Sequence, residues 1–463
     1  MTVAAWEAFN SHLLKGDLQA GRQILDGLHS QESGSAGYWK LRGDVHYRAS
    51  EFAPALDTYI KLGRDFPGYI DHRYHLMDVC SHLGLPELGK TELARLVERS
   101  GLVEGLANQV FAEGWTPLAM DEEVLGLDAE KYFNEFNHHV LLMMRGQSQM
   151  RTSGIAAGIE SYRAGYCTPE AWRSMYSADD TDAYWNGQHE LPRRLVVRER
   201  GGLGDLVQWV RYAAILRCAG VQVEILGLNA DSFQLAPVDE ACFSARLTAA
   251  GYRLAESDSP MWTDPFTLFT ALFPVFGFAA GTRYMERSPG HPAPPLLGDI
   301  RSRARGKPCI GIFWSANESP AVFAVKSLQL QHLSGLLGMD DVHWVVFQRG
   351  HQRNLWLKDP RSLDAGHFTT VDASLSFDES IALGAQLDAL VGIDSGLTHA
   401  CAALGTPCVL MANPATDWRW EKAGRSGWYP TVAIVRAPVL GAWEQVVDSA
   451  VQALRETIRG ISD

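Results

Sequence analysis

The stretch that decides the fold runs from Leu390 to Trp420 and reads LVGIDSGLTHACAALGTPCVLMANPATDWRW. It opens with a short apolar run that ends at Asp394, a pattern typical of a buried parallel strand. Small and apolar residues at helical spacing follow, so a helix is predicted to begin near Ser395. A glycine and a proline then stop the helix, and a second apolar strand is predicted from Cys408. The succession of strand, tight polar turn, short helix and strand is the repeating unit of an α/β sheet.

The start of this predicted helix is a candidate phosphate-binding site. Helix N-termini carry unpaired backbone N–H groups, which here are joined by the hydroxyl of Ser395 and by the missing side chain at Gly396. Asp and Ser also cap helices that bind no ligand. The stretch alone therefore leaves both interpretations open, and the first points to a ligand of the nucleotide type.

The composition is that of an ordinary globular protein. The chain has 463 residues, of which 46% are hydrophobic and 21% are charged, and this length suits about three domains. The net charge of −13 argues against a nucleic-acid partner, because such proteins normally present a basic face. Neither an apolar run of about 18 residues nor a signal-peptide pattern occurs, so we expect no transmembrane segment and a cytoplasmic location.

The cysteines are odd in number and scattered along the chain. They are Cys80, Cys167, Cys218, Cys242, Cys309, Cys401 and Cys408. Most fall inside apolar runs, so we interpret them as reduced core residues. Neither a Cys-x-x-Cys pair nor a His-Glu-x-x-His motif occurs, so no dedicated metal site is expected.

The first part of the chain has a repeat period of about 34 residues. Its clearest copy has the residue types of a tetratricopeptide (TPR) repeat at Trp39, Gly43, Ala55, Tyr59 and Pro67. Small residues let two helices approach and aromatic residues fill the groove between them, so these residues are predicted to lie in a core. We predict a TPR-like array over 1–110 and a helical connector over 111–185. The concave face of such an array is a candidate docking surface for a polypeptide.

A glycine-rich turn opens the first predicted α/β unit. The run 195–199 is predicted to be a strand, 206–218 a helix and 221–226 the next strand. The turn contains Gly201, Gly202, Gly204 and Asp205. The glycines permit a sharp turn and the close approach of another molecule. The carboxylate suits either a helix cap or a general base at the carboxyl end of the strand, and the local sequence does not decide between them.

A second α/β unit follows a segment rich in Pro, Gly and Arg, 287–308, which we interpret as a linker. Its predicted elements are strands at 307–315 and 342–348, helices at 328–337 and 380–387, the Asp394 unit, and a closing helix at 443–458.

Two Rossmann-like domains are therefore predicted, over 186–300 and 301–463, facing each other across a cleft. Such a pair is the α/β GT-B arrangement, the architecture of many nucleotide-sugar glycosyltransferases. Here it follows an α-helical TPR-like array. A dehydrogenase is disfavoured, because no Gly-x-Gly-x-x-Gly followed by an acidic residue on the next strand occurs.

The chain resembles the TPR-bearing bacterial relatives of the ADP-heptose:lipopolysaccharide heptosyltransferases. The segments that carry this resemblance are 199–212 (ERGGLGDLVQWVRY), 310–317 (IGIFWSAN), 326–328 (KSL), 347–350 (FQRG) and 394–430. The fold of that family is similar to GT-B, and its enzymes need no obligatory metal.

On the acceptor side, the resemblance implies a role for Asp205 as the general base that removes the proton of the acceptor hydroxyl. The glycine-rich loop beside it is formed by Gly201, Gly202 and Gly204. Asp264 stands where the relatives often have a polar residue near the acceptor.

On the donor side, Lys326 lies where a basic residue of the family meets the donor phosphates, and Gln348 lies near a position that contacts the nucleoside. The donor-binding motif of the family is matched by Asp394, Ser395, Gly396 and His399. For the nearby Asp417, Trp418 and Trp420 we predict a structural role, as a loop held by aromatic burial and an Asp cap.

The resemblance implies an inverting, metal-independent glycosyltransferase that uses a nucleotide-sugar (NDP-sugar) and no cofactor. Its acceptor is hypothesised to be a protein, such as an adhesin or a flagellin, held by the array. A glycan- or lipopolysaccharide-directed enzyme and a non-catalytic scaffold are the alternatives. The segment 316–325 departs from the relatives, which often carry polar and basic residues there. The sugar, the nucleotide, the acceptor residue and the oligomeric state stay open.

Overall fold

The computed structural model describes residues 7–9, 11–12, 17–69, 73–100, 118–126, 135–167, 183–229, 231–237, 240–279, 283–288, 294–316, 326–420 and 424–462. Most of the divergent segment 316–325 lies outside these ranges. Within them the chain forms a helical region followed by two α/β units, and no helix there is long and apolar enough to cross a membrane.

The helical region begins with five helices that pack in chain order. They are α1 (Leu18–Glu32), α2 (Ala36–Arg48), α3 (Phe52–Asp65), α4 (Arg73–His82) and α5 (Pro86–Ser100). Ala55 and Tyr59 of α3 are fully buried, and a Cβ atom on Gly43 would overlap the Tyr59 ring. The predicted packing of a small residue against an aromatic is therefore present, although the assignment to TPR repeats stays a prediction. Trp39 is partly buried and packs against a buried hydrophobic cluster of the helical region. Pro67 is exposed, so the prediction that it lies in the core was wrong.

Three further helices lie where the connector was predicted: α6 (Asp121–Leu125), α7 (Glu135–Ser153) and α8 (Ile155–Tyr166). The last two are in close backbone contact, because a Cβ atom on Gly158 would overlap the carbonyl oxygen of Gly146. Ile159 and Tyr162 of α8 are buried in the same core as the α/β units. The connector is thus part of the main body of the protein.

The first α/β unit is built on short strands. Its strands are β1 (Glu190–Leu191), β2 (Arg194–Val197), β3 (Gln222–Ile225), β4 (Phe233–Leu235), β5 (Arg253–Leu254), β6 (Met261–Thr263) and β7 (Met285–Arg287). They form a parallel three-stranded sheet in the order β3-β2-β6, the parallel pair β1-β5 and the antiparallel pair β4-β7.

The helices of this unit cover the small sheet. They are α9 (Leu203–Trp209), α10 (Arg211–Cys218), α11 (Glu240–Ala249) and α12 (Pro265–Phe276), and a 3₁₀ turn follows at Gly277–Ala279. The helix predicted over 206–218 is therefore two helices that meet at Val210. The first begins three residues earlier than predicted, because the glycine-rich turn already provides its N-cap at Gly202.

The second unit is built on a seven-stranded sheet in the order β10-β9-β8-β11-β12-β14-β13. The strands are β8 (Cys309–Ile312), β9 (His343–Val346), β10 (Phe368–Thr370), β11 (Ala389–Gly392), β12 (Cys408–Ala412), β13 (Gly424–Arg425) and β14 (Val432–Arg436). All pair in parallel except the edge strand β13. The central strands β8, β9, β11 and β12 are buried on both faces, which explains their unbroken apolar sequences.

Helices lie on the faces of this sheet. They are α13 (Leu296–Ala304), α14 (Ser334–Leu337), α15 (Gly350–Lys358), α16 (Phe377–Gly384), α17 (Gly396–Ala403) and α18 (Trp443–Ser462), with 3₁₀ turns at Leu330–Leu333 and Pro360–Leu363. The prediction of a linker over 287–308 was wrong in part, because α13 occupies the second half of this segment. Ile300 and Ala304 of α13 are buried, and the helix packs against β8 and β9.

Aromatic residues join the two α/β units into one core. The Trp209 ring of α9 lies 4.3 Å from that of Phe269, 5.0 Å from that of Trp428 and 6.0 Å from that of Trp418, measured between ring centroids. The fully buried Arg211 donates to the carbonyl oxygen of Trp428 at 3.0 Å. Residues from both units and from the connector therefore form a single hydrophobic cluster.

The helical region is attached to the second α/β unit at two loops. Between α2 and α3, the hydroxyl of Ser50 accepts from the Gln352 amide at 2.9 Å. Between α4 and α5, Gly84 lies against Gly441, and a Cβ atom on Gly84 would lie 2.7 Å from the carbonyl oxygen of Leu440. The array thus packs on the unit that carries the Asp394 motif.

The helix packing in the array can be tested with Gly43→Ala. The added methyl group meets the ring of the fully buried Tyr59, so we expect the free energy of unfolding to fall by about 1–3 kcal/mol. Gly37→Ala in the same helix is the matched control, since nothing lies within 4 Å of its Cβ position, and it should be neutral or stabilising by up to about 1 kcal/mol. Urea unfolding followed by circular dichroism measures both. Equal effects of the two changes would contradict this packing.

Candidate active site

The carboxyl edge of the seven-stranded sheet meets the glycine-rich turn of the first α/β unit. Asp394 follows β11 directly, and Ser395 caps α17 by accepting from the Thr398 N–H at 3.4 Å. A Cβ atom on Gly204 would lie 3.4 Å from the Cα atom of Gly396. The predicted acceptor-side loop and the predicted donor-side helix are therefore brought together, as the sequence analysis expected.

Asp394 is the centre of a buried polar cluster. One carboxylate oxygen accepts from Lys326 Nζ at 2.6 Å, and the other accepts from Trp420 Nε1 at 2.9 Å. His399 Nε2 lies 3.3 Å from the same second oxygen. Burial alone would raise the pKa of the Asp394 carboxyl, but Lys326 and His399 hold it well below its ordinary value. Asp394 is therefore ionised and fixed in place.

His399 supports this carboxylate from inside the protein. The ring is 1% exposed and stacks on Trp420 at 4.8 Å between centroids, and Nδ1 lies 3.0 Å from the Tyr429 hydroxyl. Burial lowers the pKa of His399, although Asp394 opposes the shift. A neutral ring that donates from Nε2 to Asp394 and accepts at Nδ1 satisfies both contacts. These contacts give His399 a supporting role, and the donor contact implied by the resemblance stays a prediction.

Lys326 and the start of α17 retain access to solvent. The side chain of Lys326 is 25% exposed, and Ser395 and Gly396 are half-buried. Although burial alone would lower the pKa of Lys326, Asp394 raises it. The ammonium is therefore charged beside a helix N-terminus, an arrangement that suits an anionic ligand.

Asp205 caps the start of α9 and also contacts the second α/β unit, and its role as a general base stays a prediction. Its Oδ2 atom accepts from the backbone N–H of Gly202 at 2.7 Å, as expected for a residue that caps the start of a helix. Its Oδ1 atom accepts from Arg419 of the second α/β unit. A Cβ atom on Gly201, which has a φ of +84°, would overlap this carboxylate. The glycine-rich turn is therefore shaped around Asp205.

Arg419 is the site residue that sequence analysis missed. Asp417 fixes it by accepting from Nε at 3.0 Å and from Nη2 at 3.1 Å, which leaves Nη1 for Asp205. Burial alone would lower the pKa of Arg419, but Asp205 and Asp417 raise it well above its ordinary value. The sequence does contain a signal that could have identified it, because this arginine lies between two tryptophans in the stretch 394–430 that carries the resemblance. The structural role predicted for Trp418 and Trp420 is consistent with their burial.

Two further predicted site residues have their polar atoms bonded within the protein. Asp264 is fully buried and caps α12, accepting from the N–H of Phe266 at 2.8 Å and from the hydroxyl of Tyr184 at 2.7 Å. Gln348 is 3% exposed, and its amide oxygen accepts from the N–H groups of Trp314 and Ser315, both at 2.9 Å. These bonds give both residues a structural role, and the contacts with acceptor and nucleoside that the resemblance implies stay predictions.

A cavity adjoins the cluster on the side of the connector. Its volume is about 860 Å³, and its lining includes Phe273, Phe278, Trp418, Trp420 and the turn between α7 and α8. This size is in the range of small-molecule sites, which are often found between domains. The cavity therefore places an aromatic, ligand-sized space against Trp418 and Trp420.

Within the described ranges, no group of three or more His, Cys, Asp or Glu residues is arranged to hold a metal ion. Segment 168–182 lies outside those ranges.

Comparison with known families assigns this region. Residues 358–433 match the family described as glycosyltransferase family 9 (heptosyltransferase). The match includes α17 with the Asp394 motif and the loop that carries Arg419. The second α/β unit thus contains a segment that matches a glycosyltransferase family.

Among characterised proteins, the chain is similar to Protein FlbA of Caulobacter vibrioides (strain ATCC 19089 / CIP 103742 / CB 15), with 22% identity over 317 residues. The alignment covers 62% of this chain and 52% of FlbA, so the chain spans about half the length of that relative.

Three solved structures show a distant likeness. The glycosyl transferase family 9 protein from Veillonella parvula DSM 2008 has 11% identity and a TM-score of 0.39, covering 59% of this chain and 100% of that one. An O-GlcNAc transferase mutant from Thermobaculum terrenum has 13% identity and a TM-score of 0.35, covering 99% and 93%. The E. coli heptosyltransferase WaaC with ADP-2-deoxy-2-fluoro heptose has 14% identity and a TM-score of 0.33, covering 57% and 99%. These scores are too low to support an argument about substrate.

The buried His399 predicts a pH dependence of stability. Its pKa in the folded protein is lowered from 6.5, so below that pH the unfolded chain takes up a proton that the folded protein does not. The stabilising contribution of His399 is therefore present above pH 6.5 and is lost as the pH falls towards the lower folded value.

We expect the difference in free energy of unfolding between wild type and His399→Gln to shrink between pH 7.5 and pH 5, by up to about 1.4 kcal/mol per pH unit. Urea unfolding at a series of pH values measures it. His332 and His343, whose pKa values are also lowered by burial, are present in both proteins and cancel. A difference independent of pH would refute the neutral, buried assignment of His399.

Proposed function

We propose that this protein is an inverting glycosyltransferase of GT-B architecture that transfers a sugar from an NDP-sugar to a hydroxyl acceptor without an obligatory metal. The observation that carries the proposal is the meeting of the Asp205 turn with the start of α17, where Gly204 lies against Gly396. We infer that the Asp205 carboxylate and this helix terminus, which suits an anionic ligand, line opposite sides of one cleft. The family match over 358–433 adds the reaction class.

In the proposed reaction, Asp205 accepts the proton of the acceptor hydroxyl as its oxygen attacks the anomeric carbon. The bond between that carbon and the diphosphate oxygen breaks, and the nucleoside diphosphate leaves with the bonding electrons. Attack from the face opposite the leaving group gives inversion. The ammonium of Lys326 and the N–H groups at the start of α17 stabilise the negative charge on the leaving diphosphate.

For the acceptor we favour a polypeptide, such as an adhesin or a flagellin, over a glycan. The helical region supports this, because it packs on the second α/β unit through Ser50 and Gly84 and can hold a bound chain near the cleft. We propose TPR repeats for that region and a cytoplasmic location for the protein. The cavity beside Trp418 is the proposed entry for the acceptor side chain. Incubating the enzyme and its donor separately with candidate polypeptides and with core oligosaccharides tests this choice, and transfer to oligosaccharide alone would rule out the protein acceptor.

Donor binding is tested by Ser395→Trp. The indole fills the space in front of the first turn of α17, so the affinity for the matching NDP-sugar should fall at least tenfold. Isothermal titration calorimetry with ADP-, GDP-, UDP- and dTDP-sugars measures this and identifies the nucleotide. Ser35→Trp is the matched control, since Ser35 also caps a helix through its hydroxyl, accepting from the Tyr38 N–H, and lies in the array. No binding of any donor by wild type would count against the proposed function.

The role of the base is tested by Asp205→Asn. The amide oxygen can keep the bond to the Gly202 N–H but cannot take a proton, so we expect transfer to slow by about 10²–10⁴-fold. Donor affinity measured by calorimetry should change little. Undiminished transfer by Asp205→Asn would show that Asp205 is not the base. A wild type that binds a donor but transfers nothing to any acceptor would favour the scaffold alternative.

A further inference from the structure

Arg419 lies on a loop that is anchored in both α/β units. Trp418 packs in the first unit, with its ring 5.3 Å from that of Phe269 and 5.7 Å from that of Tyr162. Trp420 bonds Asp394 of the second unit through Nε1 at 2.9 Å. The residue between these two anchors therefore has little freedom to move. Its guanidinium group is directed at Asp205 by the position of the loop.

The guanidinium contacts the two carboxylates in different ways. Asp417 accepts from Nε and Nη2 in a local fork, and its Oδ1 atom also accepts from the backbone N–H of Arg419 at 3.0 Å. Asp205 accepts from Nη1. The local fork fixes the plane of the guanidinium, because two parallel bonds define an orientation. The third contact then fixes Oδ1 of Asp205, while the Gly202 N–H fixes Oδ2.

We propose that Arg419 is a positioning residue that holds Asp205 in the orientation needed to accept the acceptor proton. The role rests on the proposed function, because it presumes that Asp205 is the base. Each carboxylate oxygen has two lone pairs, so one on each oxygen remains for the acceptor hydroxyl. Without Arg419, the carboxylate keeps only its bond to Gly202 and can rotate about its side-chain bonds. A base that is misplaced by about 1 Å loses rate without losing substrate affinity.

The chain contains a matched control for this arrangement. Arg361 makes the same local fork with Asp359, donating from Nε at 2.9 Å and from Nη2 at 2.7 Å, and its backbone N–H also bonds Asp359 at 3.0 Å. This pair lies at a 3₁₀ turn of the second unit. Arg361→Gln therefore removes a fork of the same geometry away from Asp205.

The experiment compares Arg419→Gln, Arg419→Lys and Arg361→Gln in the full-length protein, with the donor found by calorimetry and an accepted acceptor. We expect kcat of Arg419→Gln to fall at least tenfold, while the KM for the donor stays within about twofold of wild type. Arg419→Lys should be intermediate, since an ammonium can keep one charged contact but cannot make the fork. Arg361→Gln should keep wild-type kinetics. A purely structural role would not produce this separation of kcat from KM.

A double-mutant cycle between Asp205→Asn and Arg419→Gln, read by the urea midpoint of unfolding, tests the contact without any assay of transfer. Non-additive effects are expected, because residues in direct contact share an interaction. Additive effects, or an unchanged kcat in Arg419→Gln when wild type is active, would overturn the role proposed for Arg419 but not the proposed function. Absence of transfer by wild type with every donor and acceptor would overturn the proposed function, and with it this role for Arg419.

Discussion

The site depends on the aromatic contact between the two α/β units. Trp209 contributes from the first unit, and Trp418 and Trp428 contribute from a segment of the second that crosses to meet it. All three are buried. Domains joined by small polar interfaces move relative to each other by default, whereas a large apolar interface restrains them. The buried rings therefore keep the Asp205 turn against the start of α17, and the distances across the cleft follow from that packing.

Electrostatics place a second constraint on the site. Two cations meet three carboxylates there: Lys326 and Arg419 against Asp205, Asp394 and Asp417. The cluster is close to neutral, so an incoming diphosphate would add negative charge where the cations are already paired. The backbone N–H groups at the start of α17 are uncharged donors, and a diphosphate can bind them without displacing a carboxylate. We therefore expect donor affinity to depend strongly on the helix terminus, with Lys326 shared between Asp394 and the ligand.

Local sequence patterns predicted the helices, strands and turns that depend on interactions within a few residues. The strand, turn and helix around Asp394 are present, with β11, the Ser395 cap and α17 in the predicted order, because apolar runs, caps and glycines act within a few residues. The Asp205 turn was found for the same reason. The partnership of Asp205 with Arg419 joins residues more than two hundred positions apart, and no local pattern encodes such a pair.

Burial is the property that local sequence patterns reveal least. The resemblance to a family singled out Asp264 and Gln348 as site residues. In the folded protein both bond neighbouring backbone groups instead. His399 has the spacing of a ligand residue, yet the helix turns it towards Asp394 and Tyr429. The segment 287–308 has the composition of a linker, but its apolar residues at Ile300 and Ala304 form one face of a helix that covers β8 and β9.

The central claim is that one cleft holds both the base and the leaving diphosphate. The most direct measurement is a crystal structure of the full-length protein with a bound nucleoside diphosphate. The account predicts that the terminal phosphate lies against the N–H groups at the start of α17 and within reach of Lys326 Nζ, on the side that faces Asp205. A diphosphate bound at another surface, with none of its oxygens at the start of α17, would contradict it.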